Sequence, residues 1–206
     1  MTRCGVCGGR RVAVVGALAM LVVACGGTRA VTTRATPTST STALASPESP
    51  TATSSVAASS LVLGTDQLPS GSGEVWTLAG SSDLAGDSSS VQVSWTSLPD
   101  ADGLEVDAVV DASAHAATDD WAAWEKGVVA LVSQPLSGSC PAGLPTDCAA
   151  FSGTSAESEA PAAVVIWQQQ QALVAVVLVS GQGAVDTAYC RSVAEAQMQM
   201  ITRVLG

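Results

Sequence analysis

A Ser-His-Asp catalytic triad in this chain would have to use His115, because it is the only histidine among the 206 residues. It lies in a run of small residues with no Gly-x-Ser-x-Gly motif nearby, so we interpret it as a solvated side chain and not as part of a Ser-His-Asp triad. Cys140 and Cys148 are too far apart in sequence for a structural zinc motif. The sequence therefore predicts no catalytic residue, no metal ligand and no cofactor, and we expect the chain not to be an enzyme.

Carboxylates are concentrated in one stretch of the chain. Five of them occur between positions 100 and 111: Asp100, Asp102, Glu105, Asp107 and Asp111. Carboxylates bind calcium, but this spacing is not that of an EF-hand loop. We interpret residues 100–103 as a turn before a strand, and the carboxylates that follow as a solvated face of that strand.

The first 25 residues have the order of a secretory signal peptide. Three arginines come first, at positions 3, 10 and 11, followed by an uncharged apolar run over residues 12–23 and by small Ala24. The run is shorter than the ~20 apolar residues of a membrane-spanning helix. Because Cys25 comes next, the segment resembles a bacterial lipoprotein signal with the lipobox Val22-Val23-Ala24-Cys25. The resemblance implies cleavage before Cys25, a diacylglycerol on its thiol, and anchoring on the outer face of the cell membrane; a secreted protein cut near Ala24 is the alternative.

Charge and composition limit the partners and the source. Removing residues 1–24 takes away three arginines and no acid, which changes the formal charge from −10 to −13. Such a surface repels phosphates and anionic headgroups, so we expect no nucleic-acid partner and a membrane attachment through the N-terminal lipid alone. The chain has no asparagine and one lysine, which indicates a high-GC genome. Together with the lipobox, it resembles an actinobacterial cell-envelope lipoprotein; a high-GC proteobacterial source is the alternative.

Three regions follow one another along the chain. Residues 1–24 are the signal peptide, residues 25–60 are a Ser/Thr/Pro/Ala-rich tether that begins with the lipidated cysteine, and residues 61–206 are one globular domain. The tether has too little apolar surface to fold, and we expect it to be disordered. Its threonines and serines beside prolines are typical of O-glycosylated segments, and an unmodified spacer is the alternative.

Outside the cytoplasm, the later cysteines are expected to oxidise or to be buried. Cys140 and Cys148 enclose a loop with two prolines, and we predict a disulfide between them that contributes roughly 2–3 kcal/mol to stability. Cys190 falls in the first turn of the last predicted helix and is predicted to be a buried free thiol. A long-range bond from Cys190 to either loop cysteine is the alternative.

The apolar pattern predicts an α+β domain, an antiparallel sheet with two main helices packed on one face. Strands are predicted at residues 74–79, 91–96, 104–110, 162–167 and 172–179, the last two as a hairpin whose second strand is central and buried. One helix is predicted to start after Thr118 and to end at Pro135, and another to span residues 185–205 with Asp186 or Thr187 as its cap.

A second resemblance covers most of the globular region. The opening segment from Leu61 to Gly71, the cysteine pair, the valine-rich hairpin and the last helix are similar to small actinobacterial lipoproteins and sensor-like extracellular domains. This implies a fold and a compartment, and no functional residue is carried over. Among the five tryptophans, which we interpret mainly as core residues, Trp121 and Trp124 form a possible ligand groove between helix and sheet.

These features together predict a membrane-anchored envelope lipoprotein. Its domain is expected to be a non-enzymatic binding or interaction module for a partner protein or for an apolar or glycan ligand. An envelope hydrolase with an unrecognised active site is the alternative, and a structural or antigenic surface protein is a third interpretation.

Overall fold

The computed structural model describes residues 56–71, 74–84 and 89–206. The signal peptide, Cys25 and the tether up to residue 55 lie outside the described residues. Within these ranges, two short 3-10 helices, Ala58–Leu61 and Thr65–Gln67, precede seven strands and two α-helices. In chain order these are β1 (Val75–Ser82), β2 (Ser90–Leu98), β3 (Gly103–Val110), α1 (Ala114–Val129), β4 (Val132–Gly138), β5 (Cys148–Ser155), β6 (Pro161–Gln169), β7 (Ala172–Val179) and α2 (Thr187–Leu205).

The seven described strands form one antiparallel sheet in the order β1-β2-β3-β7-β6-β5-β4. The predicted hairpin is β6–β7, and β7 is the central strand, as predicted. Both strands are rich in valine and apolar at successive positions, which suits strands that are buried on both faces. The α+β class, with an antiparallel sheet and two main helices in one domain, is confirmed.

The two helices pack on opposite faces of this sheet, which corrects the prediction that both lie on one face. In β6, the odd-numbered residues from Ala163 to Trp167 belong to the core under α2, and the even-numbered residues from Ala162 to Ile166 belong to the core under α1. Because β6 and β7 are apolar on both sides, each face needs its own cover.

Helix α1 begins earlier than predicted, at Ala114, after the N-cap Ser113, whose hydroxyl accepts a hydrogen bond from a first-turn N–H. The Thr118 hydroxyl does not cap the helix but donates to the Ala114 carbonyl inside it. The helix ends at Val129, and Pro135 lies in the edge strand β4, where a missing N–H is tolerated. The prediction that Pro135 terminates the helix is therefore wrong.

Helix α2 matches its prediction closely. Asp186 is the N-cap, and its Oδ1 accepts hydrogen bonds from the N–H groups of Ala188 (3.0 Å) and Tyr189 (2.9 Å). Its buried Gln197 donates to the Leu61 carbonyl, and Gln197 Oε1 accepts from the Leu63 N–H at 3.1 Å. These bonds join the first described segment to α2.

Helix α1 covers only part of the sheet face on which it packs, because its main contacts are with β6 and β7. The strands β2 and β3 turn their apolar side chains toward α2, so their polar side chains point to the α1 face. We name this surface the polar half; its residues are Gln92, Ser94, Thr96, Glu105 and Asp107.

Candidate ligand-binding site

The cysteines have structural roles in the described region. Cys140 and Cys148 form the predicted disulfide, with Cα atoms 6.2 Å apart, which closes the loop between β4 and β5. Cys190 is a buried free thiol, as predicted, and its Sγ, which donates to the Ala163 carbonyl oxygen, lies 3.7 Å from it. Burial raises the pKa of Cys190 to about 12, so the group stays a protonated, unreactive thiol at neutral pH.

The tryptophans divide into two groups. Trp76, Trp95 and Trp167 are buried in the core under α2, which agrees with their interpretation as core residues. Trp121 and Trp124 are half-buried on α1 and pack against apolar residues of β6 and β7. Neither of them lines the cleft described below, and the groove predicted for this pair stays a prediction.

His115 lies on the exposed surface of the first turn of α1, with 87% of its side chain accessible. Its Nε2 is 3.5 Å from Asp119 Oδ2, one turn further along the helix. Among the described residues, no group of three His, Cys, Asp or Glu side chains is arranged to hold a metal ion.

The interpretation of the carboxylate stretch as a solvated face is wrong for its two central members. Strand alternation places Glu105 and Asp107 on the polar half, and Asp107 is only 6% exposed. Burial raises the pKa of Glu105 to about 7, and the nearby Glu157 carboxylate adds to the effect. Burial also raises the pKa of Asp107 well above its usual range, with a further contribution from Glu105. A hydrogen bond from the Gln92 side chain opposes both increases.

Each of these two carboxyl groups has a buried oxygen without a hydrogen-bond partner, Glu105 Oε1 and Asp107 Oδ1. No lysine or arginine in the described ranges forms an ion pair. Lys126 is exposed on α1, and the other two basic residues of this part of the chain lie on α2, across the sheet. The carboxyl pair therefore has neither a counterion nor a full set of hydrogen bonds, which is costly for buried charge.

A cleft of about 550 Å³ opens at one end of the sheet, and we name it the end cleft. Its wall comes from the β2–β3 turn, the β5–β6 turn and the loop after β7; its lining residues are Asp100, Ala101, Gly103, Ser158, Glu159, Ala160, Pro161, Val179, Ser180, Gly181, Gln182 and Gly183. Gly103 and Val179 face each other across β3 and β7. Both point to the α1 face, two residues from Glu105 and Val177, and neither Glu105 nor Asp107 lines the cleft.

The walls of the end cleft are held in unusual backbone conformations. Ala101 and Glu159 both have φ of 58°, in the left-handed region that non-glycine residues seldom adopt. Asp102 Oδ1 accepts a hydrogen bond from the Gly181 N–H at 2.7 Å, which ties the β2–β3 turn to the loop after β7. A Cβ atom at Gly181 would overlap the backbone oxygens of Asp100 and Ala101, so only glycine allows this close approach.

A second, smaller cavity of about 160 Å³ lies between β5 and the start of α2, beside Arg191. It is on the other side of the sheet and has no connection with the carboxyl pair.

The end cleft and the polar half were not predicted as a site because the alternation of residues 104–108 is typical of a half-exposed strand. The available signal was the neighbouring strand: β7 is apolar on both faces, and a strand paired with it lies far inside the sheet, where its polar side chains cannot be fully solvated.

No protein-family model, no curated protein and no solved structure matches the chain. No helix in the described part combines the length and hydropathy needed to cross a membrane. The arguments about function therefore depend on the residues of this chain alone.

Proposed function

We propose that the protein is a lipid-anchored envelope protein whose domain binds a small ligand in the end cleft and does not catalyse a reaction. The cleft carries the proposal: its volume of about 550 Å³ falls in the usual range of small-molecule sites, roughly 300–1,000 Å³. Its lining combines the acidic residues Asp100 and Glu159 with apolar residues such as Val179 and contains no basic residue.

A hydrolase is the second candidate function, because glycoside hydrolysis generally uses a pair of neighbouring carboxyl groups. That chemistry needs environments that push the two pKa values apart, so that one group is a protonated acid while the other stays ionised. Here burial raises both pKa values, and both groups project from one face of the same strand. This arrangement supports binding over hydrolysis.

The lipid anchor is the part of the proposal that rests on the lipobox. The parent protein is expected to partition into the detergent phase of a cell extract, and Cys25→Ser to appear in the aqueous phase or to keep its signal peptide. A mature N-terminus that mass spectrometry finds to be unmodified would contradict the anchor.

The cleft itself is tested by filling it. A Cβ at Gly103 would meet no atom within 4 Å, so Gly103→Leu is expected to occupy the floor of the end cleft without a clash. Gly127→Leu is a matched control, because Gly127 is exposed on α1 and its Cβ would also meet open space. Thermal unfolding is measured with four probes at millimolar concentration: butylamine, 1-butanol, butyrate and maltose.

A probe that binds the folded state raises Tm, by about 2 °C or more for ~1 kcal/mol of binding free energy in a domain of this size. We expect at least one probe to shift the parent and Gly127→Leu equally and to leave Gly103→Leu unshifted. Equal shifts in all three proteins would place the binding site elsewhere, and the absence of any shift would contradict a small-ligand function.

A further inference from the structure

The described sheet has two edge strands, β1 and β4, and they are built differently. β4 contains Pro135 and a register shift at which Gln134 has a φ of 54°, and both features hinder pairing with a further strand. β1 has neither a charged residue nor a proline over Val75–Ser82. Its own register shift comes after Leu78, so the first half of the strand is regular. β1 is therefore the edge that can accept a further strand.

The backbone of β1 directs hydrogen-bonding groups to the open edge at regular positions. The Ser97 N–H donates across β2–β3, so the odd-numbered residues of β2 bond toward β3 and the even-numbered residues bond toward β1. These even-numbered residues lie opposite Val75 and Thr77. The N–H and C=O groups of Trp76 and Leu78 therefore point away from β2, to a side on which no described strand lies.

Exposed apolar side chains are concentrated at the same edge. Val75 is 67% exposed, and Leu98, which lies opposite it in β2 on the α1 face, is 68% exposed. Leu78 is 54% exposed and projects from the α2 face, on the same side of the strand as Trp76. A strand added to β1 would cover apolar surface on both faces of the sheet.

A second copy of β1 is complementary to this edge. When two β1 strands pair antiparallel about Thr77, Trp76 of each copy lies opposite the partner's Leu78, and both of these residues direct their backbone groups to the edge. The side chains of each such pair share the α2 face and form an aromatic–aliphatic contact. The same register places Glu74 opposite the partner's Gly80, so no like charges meet although both copies are acidic.

We propose that the protein self-associates by pairing β1 with β1 of a second copy, so that the sheet continues across a two-fold axis. A two-fold contact uses the same surface on both molecules and therefore closes at the dimer. One short strand pair buries less surface than the ~1,200–2,000 Å² of a stable interface, so we expect a weak dimer with a dissociation constant on the order of 100 µM. The proposal does not depend on the ligand-binding function, because β1 does not line the end cleft.

A cysteine at position 77 tests both the pairing and its register. Thr77 is exposed, and the two-fold axis places it opposite itself as a non-hydrogen-bonded pair with Cα atoms ~4.5 Å apart, a distance that a disulfide spans. In the chain that begins at residue 25 and carries Cys25→Ser, Thr77→Cys is expected to form a disulfide-linked dimer under mild oxidation, detected on a non-reducing gel.

Ser81→Cys is the matched control for this cross-link. Position 81 is also exposed on β1, but the two-fold axis separates its two copies by roughly 25 Å, so it is expected to stay monomeric on the same gel. The native Cys190 is buried and does not compete for the disulfide.

A charge on the edge tests the contact without a cross-link. Sedimentation equilibrium from about 10 µM to about 1 mM measures the self-association. Leu78→Lys adds a charge of the kind that protects natural edge strands and is expected to stay monomeric. Leu136→Lys adds the same charge on β4, at a position that is 69% exposed, and is expected to dimerise as the parent does. Circular dichroism establishes that both variants are folded.

Three results would overturn the proposal. The first is a parent chain that stays monomeric at about 1 mM, or a Thr77→Cys chain that cross-links no more than Ser81→Cys. The second is an equal loss of association in Leu78→Lys and Leu136→Lys, which would place the contact elsewhere. The third is a Thr77→Cys chain that cross-links in cells to a different protein and not to itself, because β1 would then receive a strand of another partner.

Discussion

Gln197 on the α2 face and Asp107 on the α1 face are both buried polar residues, with 0% and 6% of their surface exposed. The amide of Gln197 uses its donor and its acceptor on the backbone of one neighbouring segment. Asp107 keeps a buried oxygen without a partner, and its neighbour Glu105 does the same. The unpaired groups under α2 are the indole N–H groups of Trp76 and Trp167 and the Oε1 of Gln169, which are all neutral.

Gln197 is a buried polar residue whose hydrogen bonds stabilise the fold, whereas stability does not explain why Glu105 and Asp107 are buried. A satisfied buried amide adds to stability, whereas an unpaired buried carboxylate subtracts from it by the cost of its lost hydration. Natural proteins keep such destabilising groups where function requires them. By this comparison we assign the α2 face to the structural core of the domain and propose the polar half and the end cleft as its functional surface.

The largest expected effect belongs to the α2 face. Trp167 is fully buried there, so Trp167→Ala should lower the free energy of unfolding by roughly 3–5 kcal/mol, as truncation of a core aromatic residue does. Trp121→Ala, on the half-buried α1 pair, should have a smaller effect because solvent can fill the space that the ring leaves. Urea denaturation of both variants measures the difference.

Losses of similar size at Trp167 and Trp121 would break this comparison. A large loss at both positions would make the α1 side an equal part of the core. A small loss at both would mean that the α2 core does not depend on its largest side chains.

The sequence predicts most of the strongly apolar architecture. The hairpin β6–β7 can be predicted from the sequence because its two runs of valine and alanine are too short for a membrane span and too rich in β-branched residues for a helix. Helix α2 is visible from its apolar stripe and its Asp186 cap. The Cys140–Cys148 disulfide is predicted from the short loop between two cysteines together with the expectation that the protein is exported to an oxidising compartment.

The rest depends on tertiary context. The strands β4 and β5 have small and polar residues, and Pro135 interrupts the first of them, so neither shows an apolar alternation. The start of α1 is hidden because its first turn has alanines and no apolar face. The end cleft is lined by residues from three separate connections of the sheet, and no local sequence pattern indicates that these connections lie close together.

The central claim is that Glu105 and Asp107 reduce stability and are kept for binding. Burial raises the pKa of Glu105 from 4.5 to about 7, so the folded state holds the proton more tightly than the unfolded chain does. The penalty is absent below the unfolded pKa of 4.5, grows as the pH rises from there to about 7, and is fully present above that. The pKa of Asp107 is shifted in the same direction, and its penalty has the same sign.

The most direct measurement is the free energy of unfolding of Glu105→Gln at pH 5 and pH 8, with Asp107→Asn as a second variant and Glu195→Gln as the control. The account predicts that Glu105→Gln is more stable than the parent at pH 8, by on the order of 1–3 kcal/mol, that this gain shrinks toward pH 5, and that Asp107→Asn changes stability in the same direction. Glu195→Gln should stay within about 0.5 kcal/mol of the parent at both pH values. A loss of stability at pH 8 in Glu105→Gln and Asp107→Asn would contradict the claim, because it would show that the two carboxylates stabilise the fold.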